Sequence, residues 1–562
     1  MHSCLPSAVA AIRSEESPEA GTPAGTIVVR AAGLRVHGMT VATGDGAPSA
    51  GELAVFCRPV ITAPAVVRRD GTVLAEGWLP DLVRLGELER HLGDGMIEAL
   101  VDTAVAAGRL KPRRRRRIMS YPLVIRLMIT MTLMPDASYC EALARLAGLL
   151  ADIPFVLDWH VPTEKVITDW RLPVPPALME DLFWQAAGPL IGDGEPSAVM
   201  LAGMPAAAAD GMLVNVPDTP ANRVFFGSTG TADDSSPFPQ LRIVAVTARA
   251  GRAMLGAILG QAGTGEQTLL KRLAKRRPGL FAGRVICFDR NFPGHDLVTA
   301  ILDAGGHVVA RVKDGISLGF EDGPGRGWLP DGSRMTWLNA PSGERADRLP
   351  VRAAEHSAAM PGVDGQEQVS QTCTIITTLL DHQTAPAGAV RDAYLTRWSA
   401  AETTFGEDKS AIAGAGNRTS GPVLRSGSPR MVIQEAWAWL AGTQLVRASE
   451  AAALRSEHAA ARALRRRSRV MVTADEESFT AGRHHVIRSM TSTQVTATST
   501  LEALAAAADS AARAYLHTLN LPGRQRHSER AQKARPKFPH ATATKTTVTA
   551  KPKVTVFAPG FY

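Results

Sequence analysis

The sequence predicts an α/β protein: a mixed sheet with helices on its faces, preceded by a helical segment, interrupted by a β-rich stretch and followed by a basic tail. Three observations carry this expectation. Apolar residues recur with a period of 3.6 from Leu82 to about Leu150, then with a period near 2 after Ala206. An apolar run, Arg284-Val-Ile-Cys-Phe-Asp289, ends in an acid, as a buried central strand with chemistry at its carboxyl end would. Helical periodicity disappears between about Ser317 and Pro386 and returns around Tyr394.

Composition bounds the possibilities. The 562 residues have room for several domains, and 45% hydrophobic content suits a chain that buries a large core. The longest apolar candidate, Leu123 to Met134, falls short of a membrane span and contains Arg126. The N-terminus has no basic flank followed by an apolar segment, so no signal peptide is expected. Five scattered cysteines without a Cys-x2-Cys pair point to a reduced, cytoplasmic compartment without structural zinc. A net charge of +8 suits a polyanionic partner.

Residues 1–74 carry no sustained period and stay unassigned, apart from short strands around Thr26 to Val29 and Ala65 to Val67. Residues 75–195 read as a helical domain, with Leu82, Leu85, Leu88 and Leu92 on one face. Within it Arg113, Arg114, Arg115, Arg116 and Arg117 form the densest basic run, immediately ahead of an apolar helix from Tyr121 to Met134. Five adjacent guanidinium groups repel one another unless a phosphate backbone neutralises them, although a solvated linker would also tolerate them. A hinge and helix follow between Pro162 and Leu190.

Residues 196–316 read as the first part of the core. Ala206 to Asp210, Met212 to Val216, Leu241 to Thr247 and Ala253 to Leu259 are expected as short strands, and Glu266 to Lys275 as a helix. Then come the strand ending at Asp289, a helix from about His295 to Ala304 and a strand from Val308 to Val312. Residues 317–386 form the β-rich stretch, in which Thr372 to Leu380 is the strongest strand and Pro330-Asp-Gly332 a turn. Residues 387–450 return to helix, including an apolar one from Arg430 to Arg447 expected to pack on the sheet. Residues 451–562 are Ala-rich helices and a tail with nine Lys or Arg against one acid between Arg524 and Lys553.

The stretch from Tyr394 to Lys409 gathers the chemistry-bearing side chains: Tyr394, Arg397, Glu402 and Lys409. On an ideal helix Glu402 and Lys409 lie within about 20° of each other, while Arg397 is about 140° from Glu402. One extra residue in the helix, a π-bulge near Ser399 or Ala400, would restore a common face. Upstream, two aspartates fall in strand-and-turn settings. Asp289 opens Asp-Arg-Asn-Phe-Pro-Gly294, where capping of the turn is the structural alternative. Asp210 precedes Gly211, with Asp218 in Pro-Asp-Thr-Pro-Ala-Asn222 as a second candidate; an Asp-Gly hairpin is the structural alternative at Asp210. Pro205 would then have to sit at a strand start or edge.

This combination resembles DDE transposases of the insertion-sequence-4 family, whose last catalytic helix carries Tyr-x2-Arg-x3-Glu-x6-Lys. The chain departs from it in one place, since four residues separate Arg397 from Glu402. The resemblance covers roughly residues 80 to 450. It implies a ribonuclease-H-like catalytic core with a β-rich insertion, preceded by a helical DNA-binding domain. Asp210, Asp289 and Glu402 would be the catalytic acids and metal ligands, holding two Mg²⁺ ions for which Mn²⁺ can substitute. Tyr394, Arg397, Lys409, Arg290 and Arg113 to Arg117 would contact DNA, Arg through a bidentate fork and Lys as a point charge. An insertion tryptophan, Trp328 or Trp337, could stack on an unpaired base.

The implied activity is cleavage and strand transfer of element ends, by a hairpin intermediate. Its partners would be double-stranded DNA, both terminal inverted repeats and target, and a second copy of the chain, with no membrane involved. A decayed or repurposed transposase that only binds DNA is the alternative. Other motifs fail: Gly260-Gln-Ala-Gly-Thr-Gly265 lacks the Lys-Ser/Thr ending of a phosphate loop, His484-His485 has no ligand partner at spacing, and no Gly-x-Ser-x-Gly elbow occurs.

Overall fold

The computed structural model describes residues 29–31, 34–36, 65–67, 73–76, 85, 91–92, 95–112, 120–148, 162–187, 200–229, 238–248, 253–313, 318, 328–341, 344, 347–356, 359–361, 367–369, 373–397, 405, 424–454, 482–484 and 486–487. The chain divides into two compact units, with breaks at Gly192/Asp193 and Val432/Ile433. Two small hairpins, β1 (Val29–Ala31) with β2 (Leu34–Val36) and β3 (Ala65–Val67) with β4 (Val73–Glu76), fall in the N-terminal stretch.

The first unit is helical. Its described helices are α1 (Met96–Ala106), α2 (Tyr121–Leu133), α3 (Tyr139–Gly148), α4 (Glu164–Arg171) and α5 (Pro176–Ala187). Helix α2 is buried on almost every side, so its apolar residues need no amphipathic pattern. It starts where the Ser120 hydroxyl accepts the Leu123 amide and Pro122 supplies a helix-compatible φ. Arg126, fully buried on it, donates to Glu98 of α1 at 2.7 Å. The long helix over 429–454 lends its residues from Ile433 onward to this unit, where Trp437 meets Phe183 with ring centroids 5.2 Å apart. The Gln434 amide donates to the Arg171 and Val174 carbonyls and accepts from Arg171. The expectation that this helix lies on the sheet is therefore corrected: its apolar residues fill the helical core.

The second unit is built on one nine-stranded mixed sheet. Its strands are β5 (Met200–Leu201), β6 (Met204–Asn215), β7 (Gln240–Ala248), β8 (Met254–Gln261), β9 (Val285–Phe288), β10 (His307–Arg311), β11 (Ser333–Leu338), β12 (Leu349–His356) and β15 (Cys373–Thr377). A separate hairpin joins β13 (Ala359–Pro361) to β14 (Glu367–Val369). Along the sheet the order is β11-β12-β15-β10-β9-β6-β7-β8, with β5 paired to the start of β6. Strands β6, β7 and β8 form an antiparallel meander; β9 runs parallel to β6, and β10 parallel to β9.

The parallel steps need crossovers, and helices supply them. Short helix α6 (Pro220–Phe226) follows β6, α7 (Glu266–Arg276) links β8 to β9, and α8 (His295–Asp303) links β9 to β10. Leu269, Leu270, Leu273 and Ala274 form the buried stripe of α7, and Leu297, Val298, Ala300 and Ile301 that of α8, both at the i, i+3, i+4 spacing that a helix lying on a sheet requires. Helix α9 (Ala387–Arg397) also packs against the sheet, and α10 (Pro429–Leu454) follows it in the chain.

One reading of the sequence changes here. Residues 204–215 form a single strand, so Asp210-Gly211 is no hairpin: Asp210 pairs with Ala245 and Gly211 with Val244 in an unbroken ladder. The glycine is required for another reason. A Cβ at Gly211 would lie 2.5 Å from the Glu266 carboxylate, which is held by Arg242 at 2.6 Å. Pro205 sits at the second position of β6, at its start. Within the β-rich stretch, β13 and β14 pair with each other. Its strands β11, β12 and β15 extend the central sheet outward from β10.

Candidate active site

Three parallel strands run in register. Ala209 of β6 pairs with Phe288 of β9, and Phe288 with Ala310 of β10. One residue further along each chain stand Asp210, Asp289 and Arg311. Neighbouring strands are about 4.8 Å apart, so this register sets the two acids and the arginine side by side.

The same three side chains share one face. Ala206, Val285, Cys287 and Val309 pack in a cluster with Val390, Ala393 and Tyr394 of α9. Side chains alternate with period 2 along a strand, so positions 210, 289 and 311 point to the face that α9 covers. Strand β6 continues past Asp210 because β7 still pairs with it as far as Asn215, whereas β9 stops at Phe288 and the chain turns. Asp210 is thus in mid-strand rather than at the strand end expected for it.

Helix α9 brings its own charges to this row. Nη1 of Arg397 lies 3.9 Å from a carboxylate oxygen of Asp210, and the guanidinium carbon lies 5.7 Å from the centre of the Tyr394 ring. Both Tyr394 and Arg397 are almost fully buried. Burial raises the Tyr394 pKa above its ordinary value, Arg397 opposes that rise, and the nearby Asp289 charge adds to it. The phenol therefore stays protonated through neutral pH and can donate a hydrogen bond. Beneath it the Cys287 thiol is pushed up to about 12 by burial, with Arg397 acting the other way. Among the described residues, Nε of Arg311 has no hydrogen-bond partner.

The remaining sites predicted from sequence fall as follows. Arg290 is exposed in the turn after Asp289, where the Phe292 amide donates to the Asp289 carbonyl and Gln267 of α7 donates to the Asn291 carbonyl. Asp218 lies in the loop before α6, exposed and paired with Arg223 at 2.5 Å, away from the strand register. Glu402, Lys409, Arg113 to Arg117 and the expected bulge near Ser399 lie outside the described residues. Trp328 is 60% exposed with the Arg334 guanidinium 4.6 Å over its ring, and Trp337 is half-buried on β11. Arg311 was not singled out from sequence; its only signal is a basic residue closing the apolar run Val308-Val-Ala310.

Asp210 and Asp289 offer hard carboxylate oxygens, the donor type that Mg²⁺ takes. Among the described residues no group of three or more His, Cys, Asp or Glu is placed to hold a metal, and Glu402 is not one of those residues. No described helix is long and apolar enough to cross a membrane.

No family model matches the chain. It is 24% identical over 245 residues to the transposase InsG for insertion sequence element IS4 of Escherichia coli (strain K12), a match over 44% of this chain and 52% of that protein. The chain thus aligns with about half the length of that relative. A piggyBac transposase synaptic complex with hairpin DNA overlaps 82% of this chain and 91% of its own at 10% identity, with a TM-score of 0.33, too low to bear on the fold. What the chain resembles in sequence, over a partial stretch, is a transposase.

Proposed function

We propose that the chain is a DNA transposase whose active site is the carboxylate row formed by Asp210 within β6 and Asp289 just past β9. The observation that carries the reading is the register that sets Asp210 beside Asp289, under a helix bearing Tyr394 and Arg397. The strand order β8-β7-β6-β9-β10, with an antiparallel meander and two parallel strands added beside its first member, supports a ribonuclease-H-like core. The partial similarity to an insertion-sequence transposase supports the choice of chemistry over a bare nuclease.

In this reading Asp210 and Asp289, with Glu402 as third acid, hold two divalent ions, which when bound neutralise the attacking and departing oxygens of an in-line displacement. The chain's own residues do the rest. Arg397, with its cationic fork near the acids, meets the incoming phosphate, and the neutral Tyr394 hydroxyl donates to a phosphate oxygen. Arg311, on the flank of Asp289, adds a positive charge where the substrate's charge concentrates. A water oxygen attacks phosphorus at the element end and the 3′ oxygen leaves as a hydroxyl. That hydroxyl attacks phosphorus on the opposite strand, expelling the flanking strand's 3′ oxygen and closing a hairpin. Water then reopens the hairpin, and the freed 3′ hydroxyl attacks a target phosphorus, expelling a target 3′ oxygen. The helical unit with the arginine run at 113–117 grips the duplex, and two copies pair the two ends.

The test is incubation of the full chain with DNA carrying the inverted repeats that flank its own coding sequence, with Mg²⁺ or with chelator. Metal-dependent nicks, hairpins and joined products are expected. Binding of the ends without any nick would instead support the decayed transposase, a reading that the extra residue between Arg397 and Glu402 favours.

A further inference from the structure

Away from the carboxylate row, a second charged group lies at the opposite end of α9. Arg352 of β12 is 1% exposed. Its guanidinium donates from Nη1 to Asp331 at 2.6 Å and to the Ser333 hydroxyl at 3.0 Å, from Nε to the Leu379 carbonyl at 3.1 Å, and from Nη2 to the Ala385 carbonyl. Asp331, in the turn before β11, takes the Ser333 amide and hydroxyl on one carboxylate oxygen. On the other it accepts the Ala387 amide at 2.9 Å, the first residue of α9.

This carboxylate thus caps α9 from another part of the chain. The first turn of a helix leaves amides without partners inside the helix and carries a partial positive charge, so an anion there fixes where the helix begins. The approach to that turn is fixed as well. Asp381 accepts the Gln383 amide at 2.9 Å, and Ala385, whose carbonyl Arg352 holds, donates to the Asp381 carbonyl. Burial alone would raise the Asp331 pKa, but the Ser333 and Ala387 hydrogen bonds and the Arg352 charge bring it below the usual carboxylate range.

We propose that Asp331 and Arg352 are positioning residues: together they set the start, and so the rotation and height, of the helix that places Tyr394 and Arg397 on the carboxylate row. A helix advances about 1.5 Å and turns about 100° per residue, so an N-terminus that slips by a single residue moves Arg397 off Asp210 altogether. The pair touches no reacting atom, and its effect on chemistry passes through α9. The catalytic half of this inference rests on the transposase reading; the structural half does not.

The experiment uses the full chain carrying Asp331→Asn, which removes the charge and keeps an acceptor, and in parallel Arg352→Lys, which keeps the charge and loses the fork. Hydrogen exchange of the peptide covering residues 387–397 should accelerate at least tenfold more than that of the β6, β7 and β8 peptides. With magnesium and end DNA, kcat should fall about tenfold while the KM for DNA stays within twofold. Arg352→Lys should fall between Asp331→Asn and the parent on both readouts. Should Asp331→Asn not yield folded protein, Arg352→Lys alone is held to the same exchange criterion. Exchange at 387–397 that matches the parent, or that rises no more than in β6 to β8, overturns the proposal. If the parent itself does not nick DNA, the transposase reading fails and the exchange arm still decides this one.

Discussion

Helix α9 is held by an arginine–aspartate contact at each end, and the two are built differently. At its start Arg352 and Asp331 are 2.6 Å apart; Arg352 also donates to Ser333, Leu379 and Ala385, and Asp331 also accepts from Ser333 and Ala387. At its far end Arg397 and Asp210 are 3.9 Å apart, beyond hydrogen-bond distance, with Asp289 and Arg311 alongside. The guanidinium makes four hydrogen bonds and the carboxylate accepts four, all within this corner of the fold. The longer contact stands in a row with a second carboxylate, Asp289, and a second cation, Arg311. In the proposed reading the first contact is scaffold and the second belongs to the site.

The largest effect that can break this contrast is at Asp289. Replacing it by Ala is expected to reduce magnesium-dependent cleavage by more than about a thousandfold while end binding stays within a few-fold, since three-ligand sites tolerate no missing acid. Cleavage near the parent rate would remove Asp289 from the chemistry.

Next come the two arginines, compared in denaturant. Arg352→Met leaves the Asp331 carboxylate without its charge partner and is expected to cost about 3 kcal/mol, whereas Arg397→Met, whose contact with Asp210 is longer at 3.9 Å, should cost less. Magnesium should restore stability to the Arg397→Met protein more than to the parent, because it returns a cation to Asp210 and Asp289. Equal costs for the two substitutions would erase the distinction drawn between scaffold and site.

The smallest effect sharpens how closely α9 covers the sheet. The Cys287 thiol, free at an ordinary value of 9.0, is held near 12 in the fold by burial. Between those values the unfolded chain has lost the proton that the folded chain keeps, so stability falls as pH rises. The parent is therefore expected to lose about 1.4 kcal/mol per pH unit above pH 9 relative to Cys287→Ala, measured by denaturant melts at matched pH. Parallel curves for the two proteins would mean that the thiol is not sealed beneath the helix.

Much of the core could be read from local pattern. Strand β9 was visible as a short apolar run ending at Asp289, and α7 and α8 were visible because their apolar residues repeat at helical spacing. Where the reading went astray, a local signal had more than one cause. Asp210-Gly211 was expected to separate two short strands, with a hairpin as the structural alternative, but one strand runs through it and that glycine answers to the Glu266 carboxylate of α7, a partner 55 residues downstream that no window around Asp210 contains. Composition did not say which strands those at 333–377 would join, because strand pairing leaves no trace in a single strand's composition; β15 pairs with β10. The aspartate at 331 looked like an ordinary turn residue for the same reason, since Arg352 and Ala387 lie on other elements. Asp210 and Arg397 are likewise far apart in the chain and meet only through the fold.

The way β15 joins β10 has a consequence for how such a protein can change over generations. A domain attached by flexible linkers can be exchanged or deleted without disturbing its host. Residues 333–377 have no such freedom, because β15 is laced to the strand that ends at Arg311, and removing it would strip the ladder from β10 and leave a raw edge. Innovation in this segment should therefore accumulate in its connecting turns, such as the one bearing Trp328, while its strands stay fixed in length and pairing.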